Sequence, residues 1–195
     1  MSTLRDQQRE ATQTRVVDAA HRLFVERGFE AVTVRDIAVE SGVSVGSVMA
    51  SGDKEALLVR VFDGLIESHH AEPPAARGVG ESCVDRMVDL VRPFVTLFTS
   101  HPRLSRVYAA IQVSGTRPSP LFTHLAALLI DEIGTLLVHA TNTSAEDAAA
   151  RAHAAYFAYI GTLFSVSSRE TIDASEVLDS LRSSFSVICS NGEVA

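Results

Sequence analysis

Two short helical patterns joined by a tight turn constrain the fold of this sequence more than any other feature. Thr33 precedes an apolar-faced segment and has Asp36 three residues later, which is typical of the N-cap of a helix. A Gly-Val-Ser turn at residues 42–44 then interrupts the pattern, and its serine can cap a second short helix over residues 45–51. The sequence therefore predicts a helix-turn-helix.

The remainder of the chain also has its apolar residues mainly at helical spacing, and no segment alternates apolar and polar residues convincingly. We predict an all-α fold, in which an N-terminal three-helix unit with the helix-turn-helix precedes a larger C-terminal helical bundle. Asp173 and Glu176 are predicted to form a capping box for the last helix. Besides the two short helices, the predicted helices span residues 8–27, 53–69, 81–99, 102–114, 119–140, 145–168 and 174–190, with a loop at 71–80.

Charge is distributed unevenly along the chain. The 195 residues carry a formal net charge of -7, which argues against a protein built mainly to coat nucleic acid. Residues 1–60 hold 8 basic and 9 acidic side chains, whereas residues 61–195 hold 9 and 15. The acidity therefore belongs to the C-terminal part, and any contact with DNA has to rely on local positive charge.

The cysteines and histidines show no spacing typical of a disulfide framework or a metal site. Cys83 and Cys189 stand far apart in the sequence, and we predict two ordinary thiols. The acidic and histidine residues of segment 67–72 lack an identifiable distant partner, so they are predicted to form a solvated helix end. We therefore predict no metal and no cofactor.

Neither a membrane span nor a catalytic motif is predicted. The N-terminus is polar, and the longest apolar run, Leu125–Ile130, is far shorter than a membrane helix. Nucleophile-elbow, Walker and dinucleotide-binding motifs are absent from the sequence. Ser51 and Lys54 match the Ser-x-x-Lys pattern of acyl-transferring serine enzymes, but the companion motifs are missing. We predict a soluble, cytoplasmic protein that is not an enzyme.

Several segments between residues 14 and 58 follow one another in a recognisable order. They are TRVVDAA at 14–20, LF at 23–24, ERGF at 26–29, TVRDIA at 33–38, SGVS at 41–44, Gly46 and KEALL at 54–58. In order and spacing these segments resemble the tetracycline-repressor (TetR) family of bacterial transcriptional regulators. The resemblance implies a DNA-binding domain, which we assign to residues 1–52, and a helical effector-binding and dimerisation domain, which we assign to residues 53–195.

The second helix of the motif departs from the family at the positions that face DNA. After the turn serine, family members commonly read Lys-Gly-Thr-Leu-Tyr-x-His-Phe, whereas this chain reads Val-Gly-Ser-Val-Met-Ala-Ser at 45–51. Residues at the N-terminus of a recognition helix reach base edges in the major groove, where Ser47 can form a hydrogen bond. Val45, Met49 and Ala50 can contact a thymine methyl group. The alternative is that Val45 and Met49 form an apolar surface in place of a DNA contact.

Contacts to the DNA phosphates are expected from residues around the motif. Arg35 and Lys54 supply charge, while Thr33 and Ser44 stand at helix N-termini, where backbone N–H groups attract anions. The alternatives are that Thr33 and Ser44 only cap their helices and that Lys54 is merely solvated. The predicted partner is a double-stranded DNA operator, and the predicted DNA-binding residues are Thr33, Arg35, Ser44, Val45, Gly46, Ser47, Met49, Ala50 and Lys54.

The C-terminal helices contain more aromatic and aliphatic residues than a thin bundle needs. With a few polar side chains among them, such residues suit a mostly apolar cavity between helices, which predicts a small hydrophobic or aromatic effector. The alternative for each is an ordinary core position, or a structural histidine. The predicted effector-binding residues are Phe94, Phe98, His101, Tyr108, Ile111, Gln112, Phe122, His124, Tyr156 and Tyr159.

Two apolar stripes in the last helices predict a homodimer. A monomer would expose part of these stripes, and pairing across a two-fold axis would bury them in a four-helix interface. The predicted interface residues are Ala148, Ala152, Tyr156, Tyr159, Leu178, Leu181 and Phe185. The predicted function is a ligand-responsive repressor released from a palindromic operator. The alternative is a dimeric small-molecule-binding or protein-interaction module that has lost operator binding.

Overall fold

The computed structural model describes residues 4–71, 82–169 and 171–190, with the side chains of residues 69–71 left out. Within these ranges all regular secondary structure is α-helical, which confirms the predicted fold class. The first helix begins at Leu4 rather than at residue 8, and the predicted loop at 71–80 lies almost wholly outside the described residues. The helices are α1 (Leu4–Arg27), α2 (Val34–Ser41), α3 (Val45–Ser51), α4 (Lys54–Ala71), α5 (Cys83–Ser100), α6 (Pro102–Ser114), α7 (Pro120–Thr141), α8 (Ala145–Val166) and α9 (Ala174–Cys189).

The chain forms two compact units that do not follow the order of the sequence. The first unit combines Met1–Glu67 with Arg103–Ser119, so α1 to α3, nearly all of α4, and α6 belong together. The second combines Ser68–Pro102 with Pro120–Ala195, and it contains α5, α7, α8 and α9. Because α6 lies between α5 and α7 in the sequence, the chain leaves the second unit and returns to it.

The first unit is organised around the inner face of α1. Five α1 residues at helical spacing are buried, and they pack with buried residues of α2 and α3 such as Ile37 and Val48. Gly28 ends the helix in a left-handed conformation, with φ +80° and its N–H bonded to the Phe24 carbonyl at 3.0 Å. Each large side chain buried in this way contributes about 1.5–3 kcal/mol. The buried α1 residues are Val16, Ala19, Ala20, Leu23 and Phe24.

The second unit pairs α5 with α9 and α7 with α8, while α8 also packs on α9. Small residues let α7 approach α8 closely, since a Cβ atom added at Gly134 would lie 3.8 Å from the Ala152 Cβ atom. Asp173 caps α9 by accepting a 2.8 Å hydrogen bond from the Ser175 N–H. The predicted capping box is wrong, because Glu176 instead forms a 2.7 Å ion pair with Arg169.

The two cysteines correct another expectation. Cys83 and Cys189 form a disulfide with their Cα atoms 6.1 Å apart, so the prediction of two separate thiols is wrong. Sequence spacing detects only cysteines that are near in the chain, whereas these two are separated by 106 residues. They meet because α5 packs against α9 with the start of one helix beside the end of the other.

α7 is unusually apolar for a helix with so little burial inside the subunit. Among the described helices it alone has the length and composition that could cross a membrane, and only a small part of it is buried. A single helix of this kind is weak evidence, because core helices of soluble proteins pass the same test. Asp131 and Glu132 also interrupt its apolar surface.

Candidate nucleic-acid interface and ligand-binding residues

The start of α2 is closed by a capping box. Asp36 accepts hydrogen bonds from the Thr33 N–H at 2.8 Å and from the Thr33 hydroxyl at 2.6 Å, and these bonds lower the pKa of its carboxyl. The Thr33 hydroxyl in turn accepts a bond from the Asp36 N–H. The donors of Thr33 are thus used within the chain, and an anionic carboxylate occupies the place where a phosphate would approach. The geometry supports capping by Thr33 rather than the predicted phosphate contact.

The turn between α2 and α3 has the predicted conformation. Gly42 adopts φ +66° and donates its N–H to the Val39 carbonyl, which ends α2 in a left-handed cap. Ser44 caps α3 by accepting the Ser47 N–H at 3.1 Å, and the two serine hydroxyls lie 2.9 Å apart. The helix-turn-helix is therefore built by side-chain and backbone caps at both ends of its turn.

α3 has one face inside the unit and one face in solvent. Val48 is fully buried, whereas Val45 and Met49 are 44% and 51% exposed and Ala50 is exposed beside them. Ser47 is half-buried and has Ser44 as a hydroxyl partner. The predicted base-contacting side chains of α3 therefore share one accessible surface, with Ser47 at its edge.

Of the two glycines in or next to α3, the fold requires only one. Gly52 has φ +135°, and an added Cβ atom would lie 2.9 Å from the Ala56 Cβ atom, so the fold requires glycine there. Gly46 is exposed, and an added Cβ atom would meet only the Ser44 Oγ atom at an ordinary 3.7 Å. The fold does not explain Gly46, whereas close approach of another molecule to the helix would.

The two basic residues near the motif, Arg35 and Lys54, differ in whether contacts within the chain hold their side chains. Arg35 is exposed and forms no ion pair with a residue that the structure describes. The Lys54 ammonium donates a 2.9 Å hydrogen bond to the Phe29 carbonyl and lies 4.2 Å from the centre of the Phe29 ring. Lys54 is therefore held against the unit rather than merely solvated. Two of its three N–H bonds remain for other acceptors.

The Ser-x-x-Lys match does not assemble a catalytic pair. The Ser51 hydroxyl donates to the Ser47 carbonyl at 3.2 Å, as a helical serine commonly does. Lys54 has its partner at Phe29 instead. The two side chains therefore serve the ends of α3 and α4 in the first unit.

Contacts that no sequence pattern predicted join α4 to the segment at the end of α6. Arg117 forms an ion pair with Asp53, the N-cap of α4, and this interaction lowers the pKa of the Asp53 carboxyl. The Ser119 hydroxyl donates to Asp63 at 2.8 Å, although burial raises the pKa of Asp63. Arg117 lies 64 residues from its partner, in a segment whose prolines predicted only a helix stop. We call the pairs Asp53–Arg117 and Asp63–Ser119 the α4 clasp.

An aromatic stack reinforces the clasp. The rings of Phe62 and Tyr108 lie 4.4 Å apart between centres and only 15° from parallel. Both side chains are fully buried in the structure. α4, which follows α3 directly, is thus fixed to α6 over its first half.

A comparison with protein-family models matches the N-terminal part of the chain. Residues 16–61, which run from the middle of α1 to the first half of α4, match the family described as bacterial regulatory proteins, tetR family. The match covers the helix-turn-helix described above, so this segment is a tetR-family domain. A comparison with curated proteins finds no match.

Solved structures share the fold over nearly the whole length of this chain. SCO7222, a TetR from Streptomyces coelicolor, aligns with TM-score 0.65 and 16% identity over 90% of this chain and 96% of its own. BioQ with its double-stranded DNA operator aligns with TM-score 0.55 and 20% identity over 88% and 98%. A TetR variant from Acinetobacter baumannii AYE in complex with minocycline gives 0.59 and 20% over 90% and 97%. At identities of 16–20%, these similarities establish a shared fold only.

The predicted effector residues are divided between the two units. Tyr108, Ile111 and Gln112 belong to α6 in the first unit, where the Gln112 side-chain nitrogen is buried without a hydrogen-bond partner among the described residues. The other seven belong to the second unit and range from the buried Phe98, whose ring lies 6.4 Å from that of Phe164, to the exposed His124. Those seven are Phe94, Phe98, His101, Phe122, His124, Tyr156 and Tyr159.

The second unit also contains a groove of about 520 Å³, which lies away from the predicted effector-binding residues. It opens between the end of α5 and the start of α9, and most of its lining side chains are polar. None of the predicted effector residues lines it. The lining residues are Thr96, Thr99, Ser100, Thr171, Ile172, Asp173, Ala174 and Glu176.

Most of the predicted dimer residues face the interior of the subunit. Tyr156 and Leu178 are half-buried, but the other five are buried, so a second subunit cannot reach them and the predicted interface needs correction. On the same helices Phe157 is 67% exposed and Val187 is 74% exposed. α8 is rich in alanine on both faces, so periodicity did not show which face points inward. The five buried residues are Ala148, Ala152, Tyr159, Leu181 and Phe185.

Histidine and acidic residues do not form a metal site in the described part of the chain. No group of three or more side chains capable of holding a metal occurs there. His69, His70 and Glu72 of the predicted solvated helix end lie outside the residues whose side chains the structure describes.

Proposed function

We propose that this chain is a cytoplasmic, homodimeric TetR-family repressor that a small hydrophobic effector releases from a palindromic operator. The observation that carries the proposal is α3, a helix capped at the turn and presenting one accessible face of predicted base-contacting residues. BioQ, which shares the fold, has been solved with its double-stranded DNA operator. The role is regulatory rather than catalytic, and it requires no cofactor or membrane.

Base recognition in this proposal rests on shape and methyl contacts. Val45, Met49 and Ala50 present apolar atoms that favour thymine methyl groups in the major groove. Gly46 lets the helix backbone approach the DNA closely, because no side chain intervenes. We expect operators of this protein to be rich in thymine at the positions that α3 reads.

Phosphate contacts in the proposal use fewer groups than the sequence suggested. Arg35 offers a free guanidinium, and Lys54 offers its remaining N–H bonds from a position fixed by Phe29. Ser44 marks the N-terminus of α3, whose backbone N–H groups attract phosphate. In this proposal Thr33 caps α2 and makes no contact with phosphate.

Dimerisation is proposed through the outward faces of α8 and α9. Phe157 and Val187 are large apolar residues exposed on these faces, and Tyr156 and Leu178 are half-buried on the same helices. A two-fold axis would bring each patch against its own copy. The two recognition helices can then occupy half-sites about 34 Å apart, as a palindromic operator requires.

Release is proposed to work through α6. This helix belongs to the unit that contains α3, while the chain connects it directly to α5 and α7 of the second unit. An effector bound among the half-buried aromatic residues of the second unit favours a dimer with a different spacing of its recognition helices. The α4 clasp carries the displacement to the end of α3. A related fold has been solved with minocycline.

The alternative is a ligand-binding or protein-interaction module without operator binding. The observation that favours it is the composition of α3, VGSVMAS, which contains no cation to contact phosphate. The two functions differ in one measurable property, namely sequence-specific DNA binding.

Selection of duplexes from a random pool tests the proposal. We expect wild-type protein to enrich a palindrome, and Met49→Glu to enrich nothing because its carboxylate repels the phosphates. Val113→Glu makes the same change of charge at an α6 residue that is 73% exposed, and it should enrich the wild-type motif. Failure of folded wild-type protein to enrich any motif would favour the alternative.

Sedimentation and thermal-shift measurements test the proposed dimerisation and the proposed response to an effector. Phe157→Glu should give folded monomers, whereas Val113→Glu should remain dimeric. A panel of apolar and aromatic compounds should contain one that raises the wild-type Tm and weakens operator binding, and Phe122→Ala should reduce that response. A dimer unaffected by Phe157→Glu would place the interface elsewhere.

A further inference from the structure

The disulfide connects two helix ends that only the folded chain brings together. Cys83 is the first residue of α5 and Cys189 is the last residue of α9. Their Cα atoms are 6.1 Å apart, within the range of about 4.4–6.8 Å that a disulfide requires. The packing of α5 against α9 therefore places both cysteines in position for this bond.

The surroundings of the pair favour thiol chemistry. Both cysteines are only half-buried, so small reagents can reach them. Cys83 lies in the first turn of an 18-residue helix, whose N-terminal dipole stabilises a thiolate. Asp85 in the same turn is paired with Arg182 at 2.5 Å, which limits its repulsion of such an anion. The Met87 sulfur lies 3.3 Å from the Cys189 sulfur and provides a polarisable neighbour.

We propose that Cys83 and Cys189 are a reversible redox pair that responds to peroxides and fastens α5 to α9. This role rests on the proposed function, because a cytoplasmic regulator works where thiols are kept reduced, so that a disulfide there forms in response to an oxidant. The cysteines are not needed for DNA recognition in that function, since they belong to the second unit.

The chemistry balances with hydrogen peroxide as the oxidant. The Cys83 thiolate attacks one peroxide oxygen, the O–O bond breaks, and the departing hydroxide takes up a proton to give water. Cys83 is thereby oxidised to a sulfenic acid. The Cys189 thiolate then attacks the Cys83 sulfur, the S–O bond breaks, and the second hydroxide leaves as water. Two thiols and one peroxide give one disulfide and two waters, and a dithiol reductant reverses the oxidation by exchange.

The bond closes a long segment of the chain. The two cysteines are separated by 106 residues, and that segment includes α5, α6, α7, α8 and almost all of α9. Reduction leaves the Asp85–Arg182 ion pair and apolar packing to hold α5 against α9. Because α9 carries part of the proposed dimer surface, the redox state of the pair sets how firmly that helix is held.

The full-length protein is reduced with dithiothreitol, freed of reductant and titrated with hydrogen peroxide. We expect intact mass to fall by about 2 Da per chain and peptide mapping to link residues 83 and 189 within one chain. Melting should show a Tm about 5–15 °C higher in the oxidised state, and renewed reduction should reverse this shift. Cys83→Ser and Cys189→Ser, which keep the remaining cysteine, should show no redox-dependent shift.

Three results would overturn the proposal: disulfides between chains instead of within one, over-oxidation of either cysteine without a bond, or equal Tm in both states. Operator binding is measured separately on both redox states. If neither state binds a selected duplex while the reversible bond and Tm shift are present, the repressor function fails and the redox pair stands. If operator binding is normal and no intrachain bond forms, the redox proposal fails alone.

Discussion

α3 and α9 are both capped helices with one buried and one exposed face, yet their sequences were informative to different degrees. For α3, the serine cap and the glycine turn predicted the helix itself, in which Val48 is buried and the predicted DNA contacts Val45 and Met49 are exposed. For α9, the predicted subunit contacts Leu181 and Phe185 are part of the subunit's own core. Local capping fixes where a helix begins, but only packing with distant elements decides which stripe is covered.

The largest predicted change in stability distinguishes the buried face of α9 from its exposed face. Phe185 is fully buried, so Phe185→Ala should lower the free energy of unfolding by about 3–5 kcal/mol through lost burial and a cavity. Val187→Ala, at a residue 74% exposed, should change the unfolding of the monomer by less than about 0.5 kcal/mol. Urea denaturation at low protein concentration measures both. Equal costs would mean that the two faces have been assigned wrongly.

Gly52 provides the next largest effect, in the first unit. Gly52→Ala should cost about 2–4 kcal/mol, because alanine strains the backbone at φ +135° and its Cβ atom meets Ala56 at 2.9 Å. Gly64→Ala is the matched control on α4, where an added Cβ atom meets nothing within 4 Å, and it should stabilise by up to about 1 kcal/mol. Thermal denaturation compares the two. A neutral Gly52→Ala would show that the junction of α3 and α4 adapts freely.

The sequence predicted the nine helices found in the described ranges and the helix-turn-helix, because their signals are local. Caps such as Ser44 and stops such as Gly28 and Gly42 act within one turn of the chain. The disulfide and the Asp53–Arg117 pair join residues 106 and 64 positions apart, and no local pattern encodes them. The accessible face of α3 follows from such local signals. The α4 clasp joins distant segments, so no local pattern predicts it.

Gly46→Ala should sharpen the distinction between residues that the fold requires and residues reserved for DNA. The added methyl group has space within the chain, so stability should stay equal or rise by up to about 1 kcal/mol. Operator affinity should fall about tenfold, or 1.4 kcal/mol, because the methyl group keeps the helix away from the bases. Fluorescence anisotropy on a selected duplex measures the loss, with Gly64→Ala as control. Unchanged affinity would remove Gly46 from the proposed interface.

Two exposed ion pairs allow a comparison between the units at smaller magnitude. Arg117→Ala breaks the clasp and should cost about 0.5–1 kcal/mol, whereas Arg169→Ala, whose pair with Glu176 is more exposed, should cost less than about 0.3 kcal/mol. The arginine pairing lowers the pKa of folded Asp53 below 3.8, so the Asp53–Arg117 pair stabilises the fold above that pH, and this stabilisation is lost as pH falls through the folded pKa. Chemical denaturation at pH 7 and pH 3 checks both statements. Only Arg117→Ala should also weaken the effect of effector on operator binding.

The smallest effect concerns Asp63, the other acid of the clasp, and it should have the opposite dependence on pH. Burial raises the folded-state pKa of Asp63 above 3.8, so the folded chain holds this proton more tightly than the unfolded chain does. Stability therefore falls as pH rises from 3.8 through the folded pKa, and the charged form carries a desolvation cost at pH 7.

Asp63→Asn removes that cost and keeps an acceptor for the Ser119 hydroxyl, which donates to Asp63 at 2.8 Å. We expect its Tm to exceed that of wild type by a few degrees at pH 7, and the difference to shrink as pH falls toward 3.8. Asp179→Asn, at an exposed position on α9, is the control with the same chemical change. A lower Tm for Asp63→Asn at pH 7 would mean that the carboxylate charge stabilises the clasp, and both acids would then act alike.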